Sequence, residues 1–209
     1  MDTERLGFDL AEAINEMLEE SGEDIERTLG GRSIMVPWEY TALLLWIIIR
    51  EAVIVMPEKA ISPSISTTLA VVFSWWKDAE VNAFGDLGDD GIDLQKFEDY
   101  VQKRFDLYDW AWNVYSSMKD NRCSDEEIKG LSQASEITVA INFIVRCFGG
   151  EAEYHNIFPK SEDRTPHTAC VLNYYRGFSE RVRSILTRFA SNEEQTCNSL
   201  LEEEGANAS

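Results

Sequence analysis

The run Trp38–Met56, WEYTALLLWIIIREAVIVM, constrains the chain more than any other segment. Only Glu39, Arg50 and Glu51 interrupt it, so as a helix it is apolar on nearly every side and has no face to offer water. Such a segment has to be enclosed by others. Its Ile and Val content also suits a buried strand, but the run is longer than strands usually reach and no partner strand is evident. Pro37 suits the first turn of a helix, where a missing N–H costs nothing, and Pro57 stops the run. The expectation is a central helix surrounded by amphipathic ones.

The rest of the sequence supplies those neighbours. From Thr3 to about Leu29, Leu6, Leu10, Ile14, Met17 and Leu18 recur at helical spacing with Glu and Asp opposite, until Gly30-Gly31 breaks the pattern. A third segment over 64–84 spaces Leu69, Val72, Phe73 and Trp76 in the same way. The fourth, 94–118, carries Phe97, Val101, Phe105, Tyr108, Trp112 and Tyr115, a stripe wide enough to meet more than one neighbour. Ser124-Asp-Glu-Glu127 is a capping box that opens a fifth helix, which ends near Phe148 before Gly149-Gly150. A sixth, over 167–190, aligns Val171, Tyr175, Phe178, Val182, Ile185 and Phe189. No stretch repeats at a fixed period. The predicted fold is all-α: a single-domain bundle of about six helices over 1–190 with an apolar central helix, followed by a flexible, disordered acidic tail over 191–209.

Charge narrows the classes of partner. A net charge of −19 argues against binding duplex nucleic acid or an anionic membrane, both of which need clustered Lys and Arg. The first thirty residues hold ten acids and no short apolar run behind a basic start, so the N-terminus does not read as a secretory signal and the expected location is cytoplasmic. Cys123, Cys147, Cys170 and Cys197 lack paired spacing, as suits reduced thiols there. A membrane hairpin of Trp38–Met56 and Ile61–Trp76, belted by Trp38, Trp75 and Trp76, is disfavoured. Arg50 and Glu51 would each cost about 2.5–3.5 kcal/mol inside the first span.

Chemistry has few places to reside. Asp86, Asp89, Asp90 and Asp93 resemble a calcium loop in composition only: with Asp86 as first ligand, Gly88 falls at the third position and Phe97 where a bidentate Glu belongs. An Asp-rich turn with Asp93 as N-cap accounts for them. Cys147, His155, His167 and Cys170 are zinc-type ligands, but only His167-x-x-Cys170 is tightly spaced. Glu39, Arg50 and Glu51 do not fit a di-metal bundle, since no Glu-x-x-His occurs, and ion pairing with neighbouring helices is the expected role. Glu19-Glu20-Ser21-Gly22-Glu23 is half of a magnesium-dependent pyrophosphohydrolase pattern whose ExxD half is missing. Neither a GxSxG elbow nor a GxxxxGK loop is present.

What remains is surface charge. Arg164, Arg176, Arg181, Arg183 and Arg188 concentrate in the last helical region, where Glu180 is the only acid between Thr165 and Ala190. Pairing with the acidic first helix or the Glu-rich tail is the plain expectation. The resulting functional expectation is a non-enzymatic protein-interaction module with an acidic surface, an adaptor, immunity-type inhibitor or nucleic-acid mimic. It uses Glu12, Glu16, Glu19, Glu20, Arg176 and Arg183 toward a basic protein partner, needs no cofactor, and leaves self-association open. The alternative is a zinc- or calcium-binding protein, or a metal-dependent enzyme, built on Asp86/Asp89/Asp90/Asp93 or on Cys147/His155/His167/Cys170.

Overall fold

The computed structural model describes residues 2–29, 36–84, 94–118 and 123–207, with side chains described for 2–29, 39–75, 77, 98–118 and 123–192. The described residues form seven helices and no strand: α1 (Thr3–Thr28), α2 (Val36–Val55), α3 (Glu58–Phe84), α4 (Leu94–Ser116), α5 (Asp125–Cys147), α6 (Glu151–Ile157) and α7 (Ser161–Asn207). The protein is all-α. Among the described residues no helix is long and apolar enough to cross a membrane.

Local chemistry fixes α5 at both ends. The Ser124 hydroxyl accepts from the Glu127 N–H at 3.3 Å, and the Glu127 carboxylate accepts from the Ser124 N–H at 2.7 Å, so two otherwise unpaired donors are satisfied together. At the other end Gly150 N–H reaches the Val145 carbonyl and Gly149 N–H the Arg146 carbonyl, the Schellman pattern. Gly149 has φ of 84° and Gly150 of 142°, values that side chains resist.

Two prolines mislead a reading of helix starts. Pro63 lies inside α3, which begins at Glu58 rather than 64, and Pro166 lies inside α7, which begins at Ser161 rather than 167. Each sits at the sixth helical residue, so its ring removes a single bond close to the N-terminus. Hydroxyls around each proline bond carbonyls one turn back: Ser64 to Ala60 (2.9 Å), Thr67 to Pro63 (3.2 Å) and Thr165 to Ser161 (3.1 Å). The loop expected before the last helix instead contains α6, and the backbone of α7 is helical to Asn207.

The chain forms two compact units, one of residues 1–13, 47–85 and 179–209, the other of residues 14–46 and 86–178. In the first, Leu6, Leu10, Ala52, Val72, Val182 and Leu186 are buried. Here α1 and α3 come very close: a Cβ on Gly7 would lie 2.5 Å from Thr67 Cβ and 2.8 Å from the Ser64 carbonyl oxygen. The Thr68 hydroxyl donates to the Gly7 carbonyl at 3.2 Å. The apolar character of α2 is not matched by enclosure throughout, since Val53 and Ile54 in this unit are both 63 % exposed.

In the second unit every described α2 side chain, from Glu39 to Trp46, is buried. Trp46 packs on Tyr108 and Trp112, with centroids 5.8 and 6.3 Å away, and its indole N–H donates to Asp109 at 2.7 Å. Tyr40 meets Phe143 at 5.9 Å and shares a 2.6 Å hydrogen bond with Ser21. Helix α4 packs along α5, and Val101, Tyr108 and Ala111 of its stripe are fully enclosed.

Candidate functional site: buried ion pairs and an acidic helix face

Both acids of α2 are buried, and each has cationic partners. In the second unit Arg104 of α4 donates to Glu39 through Nε (2.8 and 2.7 Å) and Nη2 (2.6 Å), while its guanidinium lies 4.7 Å from the centre of the Tyr100 ring. Burial works against the charge on Arg104, but the hydrogen bonds and charge of Glu39 outweigh it and raise the pKa. Burial, reinforced by the nearby Glu39 charge, pushes the Tyr108 phenol and the Cys147 thiol well above their ordinary values. A thiol so protonated is a poor nucleophile or ligand.

In the first unit Glu51 is wholly buried. It accepts from the Ser179 hydroxyl at 2.6 Å and from Arg183 Nε and Nη2 at 3.0 and 2.8 Å, and Arg50 Nη2 stands 3.1 Å away. The strongest polar demands of α2 are thus met by α4 and α7 side chains. Satisfied in this way, the two carboxylates fix how helices meet and have little left to offer a substrate.

Two of the α7 arginines have their described partners outside α1 and the tail. Arg176 bonds Glu136 of α5 at 2.8 Å and Arg183 bonds Glu51 of α2, whereas the sequence points the α7 arginines toward α1 or the tail. A buried carboxylate attracts a cation more strongly than a solvated helix face does, because its charge is less screened. What joins α7 to α1 in the second unit is Tyr174, whose hydroxyl donates to Asp24 at 2.7 Å; Arg27 donates to the same carboxylate at 2.8 Å, with the Cys170 thiol 3.9 Å away. The Tyr174 bond, then Arg27, holds the Asp24 carboxyl below the usual range, and Tyr174 is pushed up to about 12.

The four zinc-type residues have separate surroundings. Cys147 is buried near Glu39 and Arg104, His155 is exposed on α6, and Cys170 is half-buried against Asp24. His167 is buried in an aromatic cluster, 3.0 Å from the Tyr154 hydroxyl through Nδ1 and edge-on to Phe158 at 4.6 Å. Among the described residues no three His, Cys, Asp or Glu side chains are placed to hold a metal ion. Asp86, Asp89, Asp90 and Asp93 lie outside the described residues.

Helix α1 carries an acidic face. In the second unit Glu19, Glu20, Glu23 and Glu26 are exposed and Glu16 is half-exposed, at intervals that keep them on one side of the helix. Glu19 accepts from Asn15 at 3.0 Å. Glu12 is exposed on the same helix but belongs to the first unit. Arg104, Ser179 and Asp24 carry much of the polar structure, and the sequence does not single them out. For Arg104 a signal exists: a buried Glu39 needs a cation, and Arg104 flanks the Val101–Phe105–Tyr108 stripe.

No protein-family model matches this chain, and no characterised protein or solved structure shows significant similarity to it.

Proposed function

We propose that the chain is a non-enzymatic, cytoplasmic protein-interaction module whose α1 face, from Glu16 to Glu26 in the second unit, binds a basic protein that otherwise engages a polyanion. The carrying observation is charge density. Glu16, Glu19, Glu20, Glu23 and Glu26 are five carboxylates within eleven residues. At a rise of about 1.5 Å per residue they span about 15 Å, roughly one charge per 3 Å. A nucleic-acid strand carries one phosphate per about 3.4 Å of axis. Free thiols at Cys123, Cys147 and Cys170 accord with a reducing compartment.

The test is binding to a panel of purified basic nucleic-acid-binding domains at ~50 and ~500 mM salt, alongside metal analysis. Salt-sensitive binding is expected for the native chain and not for Glu19→Lys/Glu20→Lys/Glu23→Lys/Glu26→Lys. Stoichiometric metal with no bound domain at either salt sinks the reading.

A further inference from the structure

The proposed basic partner needs an apolar anchor as well as charge, since solvated carboxylates alone bind weakly and with little selectivity. Trp110 of α4, in the second unit, is 61 % exposed, and Trp is the residue most enriched at the energetic centres of interfaces. Among the described residues of α4 the exposed charges are Glu98, Asp99, Asp106 and Asp109 against Lys103, and Asp106 is the acid nearest Trp110 on its own face. Asp106 stands one turn before Trp110, on the same face, and accepts from Gln102 at 2.9 Å. Asp109 is engaged by the Trp46 indole.

The chain itself displays the arrangement such a surface would make with a guanidinium. On the same helix Arg104 lies 4.7 Å over the Tyr100 ring while a carboxylate, Glu39, holds its N–H groups. Trp110 and Asp106, both exposed and one turn apart, supply the same two components, an aromatic ring and a carboxylate. An indole is the strongest of the aromatic faces for a cation, and a planar guanidinium stacks on it where an ammonium only points at it.

We propose that Trp110 and Asp106 form an arginine-recognition point on α4, taking an arginine side chain of a basic protein partner across the indole with its N–H groups on Asp106. This rests on the reading that the partner is basic, but it uses a different helix face from the α1 carboxylates, so the two fail separately.

The experiment titrates the full chain with nona-arginine and nona-lysine peptides by calorimetry. Trp110→Leu keeps apolar bulk and removes the ring; Trp110→Phe keeps a ring; Asp106→Asn removes the charge. Because Trp110 is exposed, an unchanged circular-dichroism melt is expected for all three. Trp110→Leu is expected to weaken nona-arginine about three- to tenfold and nona-lysine less than about twofold, with Trp110→Phe between it and the native chain. Asp106→Asn is expected to weaken nona-arginine as well.

Equal loss for both peptides, no loss with Trp110→Leu, or no nona-arginine binding to the native chain overturns the proposal. So does affinity retained by Trp110→Leu but lost by Trp110→Ala, which marks an apolar contact. If charge reversal on α1 leaves nona-arginine binding intact while Trp110→Leu weakens it, the α1 reading fails and the Trp110 site stands. The converse result separates them the other way.

Discussion

Replacing Glu39 with Gln tests whether the buried ion pair between α2 and α4 holds the second unit together. Glu39 is 1 % exposed and takes three donor contacts from Arg104, whose own side chain is 19 % exposed. Breaking a buried pair by removing one partner usually costs about 3–5 kcal/mol, because a charge is left without compensation. The guanidinium here reaches some water and rests on Tyr100, so the expected loss lies near the lower end, about 3 kcal/mol. Replacing both residues, Glu39→Met with Arg104→Met, removes the orphan charge and is expected to fall within ~1 kcal/mol of the native chain. A double-mutant cycle of Glu39→Met, Arg104→Met and the two combined should therefore show a coupling of about 2 kcal/mol or more. Urea denaturation followed by circular dichroism at constant m-value gives the four stabilities. If Glu39→Gln costs less than ~1 kcal/mol, or the two single effects simply add, the pair does not organise the helices and the reasoning is wrong.

Further expectations follow from other contacts. Gly7→Ala should destabilise the first unit by about 1–3 kcal/mol despite alanine's better helix propensity, because the new Cβ meets Thr67 and Ser64 at 2.5 and 2.8 Å; a raised melting temperature refutes the close approach. Burial holds the His167 pKa below its ordinary 6.5, with Asp163 opposing. The unfolded chain therefore binds more protons between the two values, and stability falls as pH drops from about 6.5 through the folded value. Denaturation at pH 7.5 and 5 should show that loss, and His167→Gln should flatten it. Tyr174→Phe should raise the Asp24 pKa, read by NMR titration; an unmoved titration means the 2.7 Å bond is not what lowers it.

Features decided within a few residues are legible in the sequence, and those decided across space are not. The ends of α5 follow from Ser124, Glu127 and the Gly149-Gly150 pair, which act on their own backbone. The burial of α2 from Glu39 to Trp46 follows from its composition. The starts of α3 and α7 lie earlier than the sequence suggests because Pro63 and Pro166 look like boundaries, yet a proline in the second turn costs the helix only one bond.

Charge pairing is legible only as a requirement. A buried Glu must find a cation, but beyond the place of Arg104 beside the α4 stripe nothing along the chain assigns it to Glu39, and nothing distinguishes Arg183 with Ser179 for Glu51 from the other bases. Separations of 65 and 132 residues are closed by tertiary structure alone. The grouping of Cys147, His155, His167 and Cys170 shows the reverse error: nearness in sequence does not become convergence, because His167 is taken up by Tyr154 and Phe158 and Cys170 by Asp24. Trp110 is inconspicuous in the sequence for a related reason. It lies on the side of α4 opposite the apolar stripe, two residues after Tyr108, where a single exposed aromatic carries no periodic signal.

The central claim is that the carboxylates of α1 bind a basic surface as a polyanion does. The most direct measurement is the salt dependence of affinity for one basic nucleic-acid-binding domain, compared between the native chain and the Glu19, Glu20, Glu23, Glu26 charge-reversal variant. Affinity for the native chain should fall steeply and linearly in log–log form with salt, and the same domain should release bound DNA as the chain is added. The variant should bind more than about tenfold more weakly at low salt, with a shallower slope. Equal affinity and equal slope for the two proteins would contradict the claim.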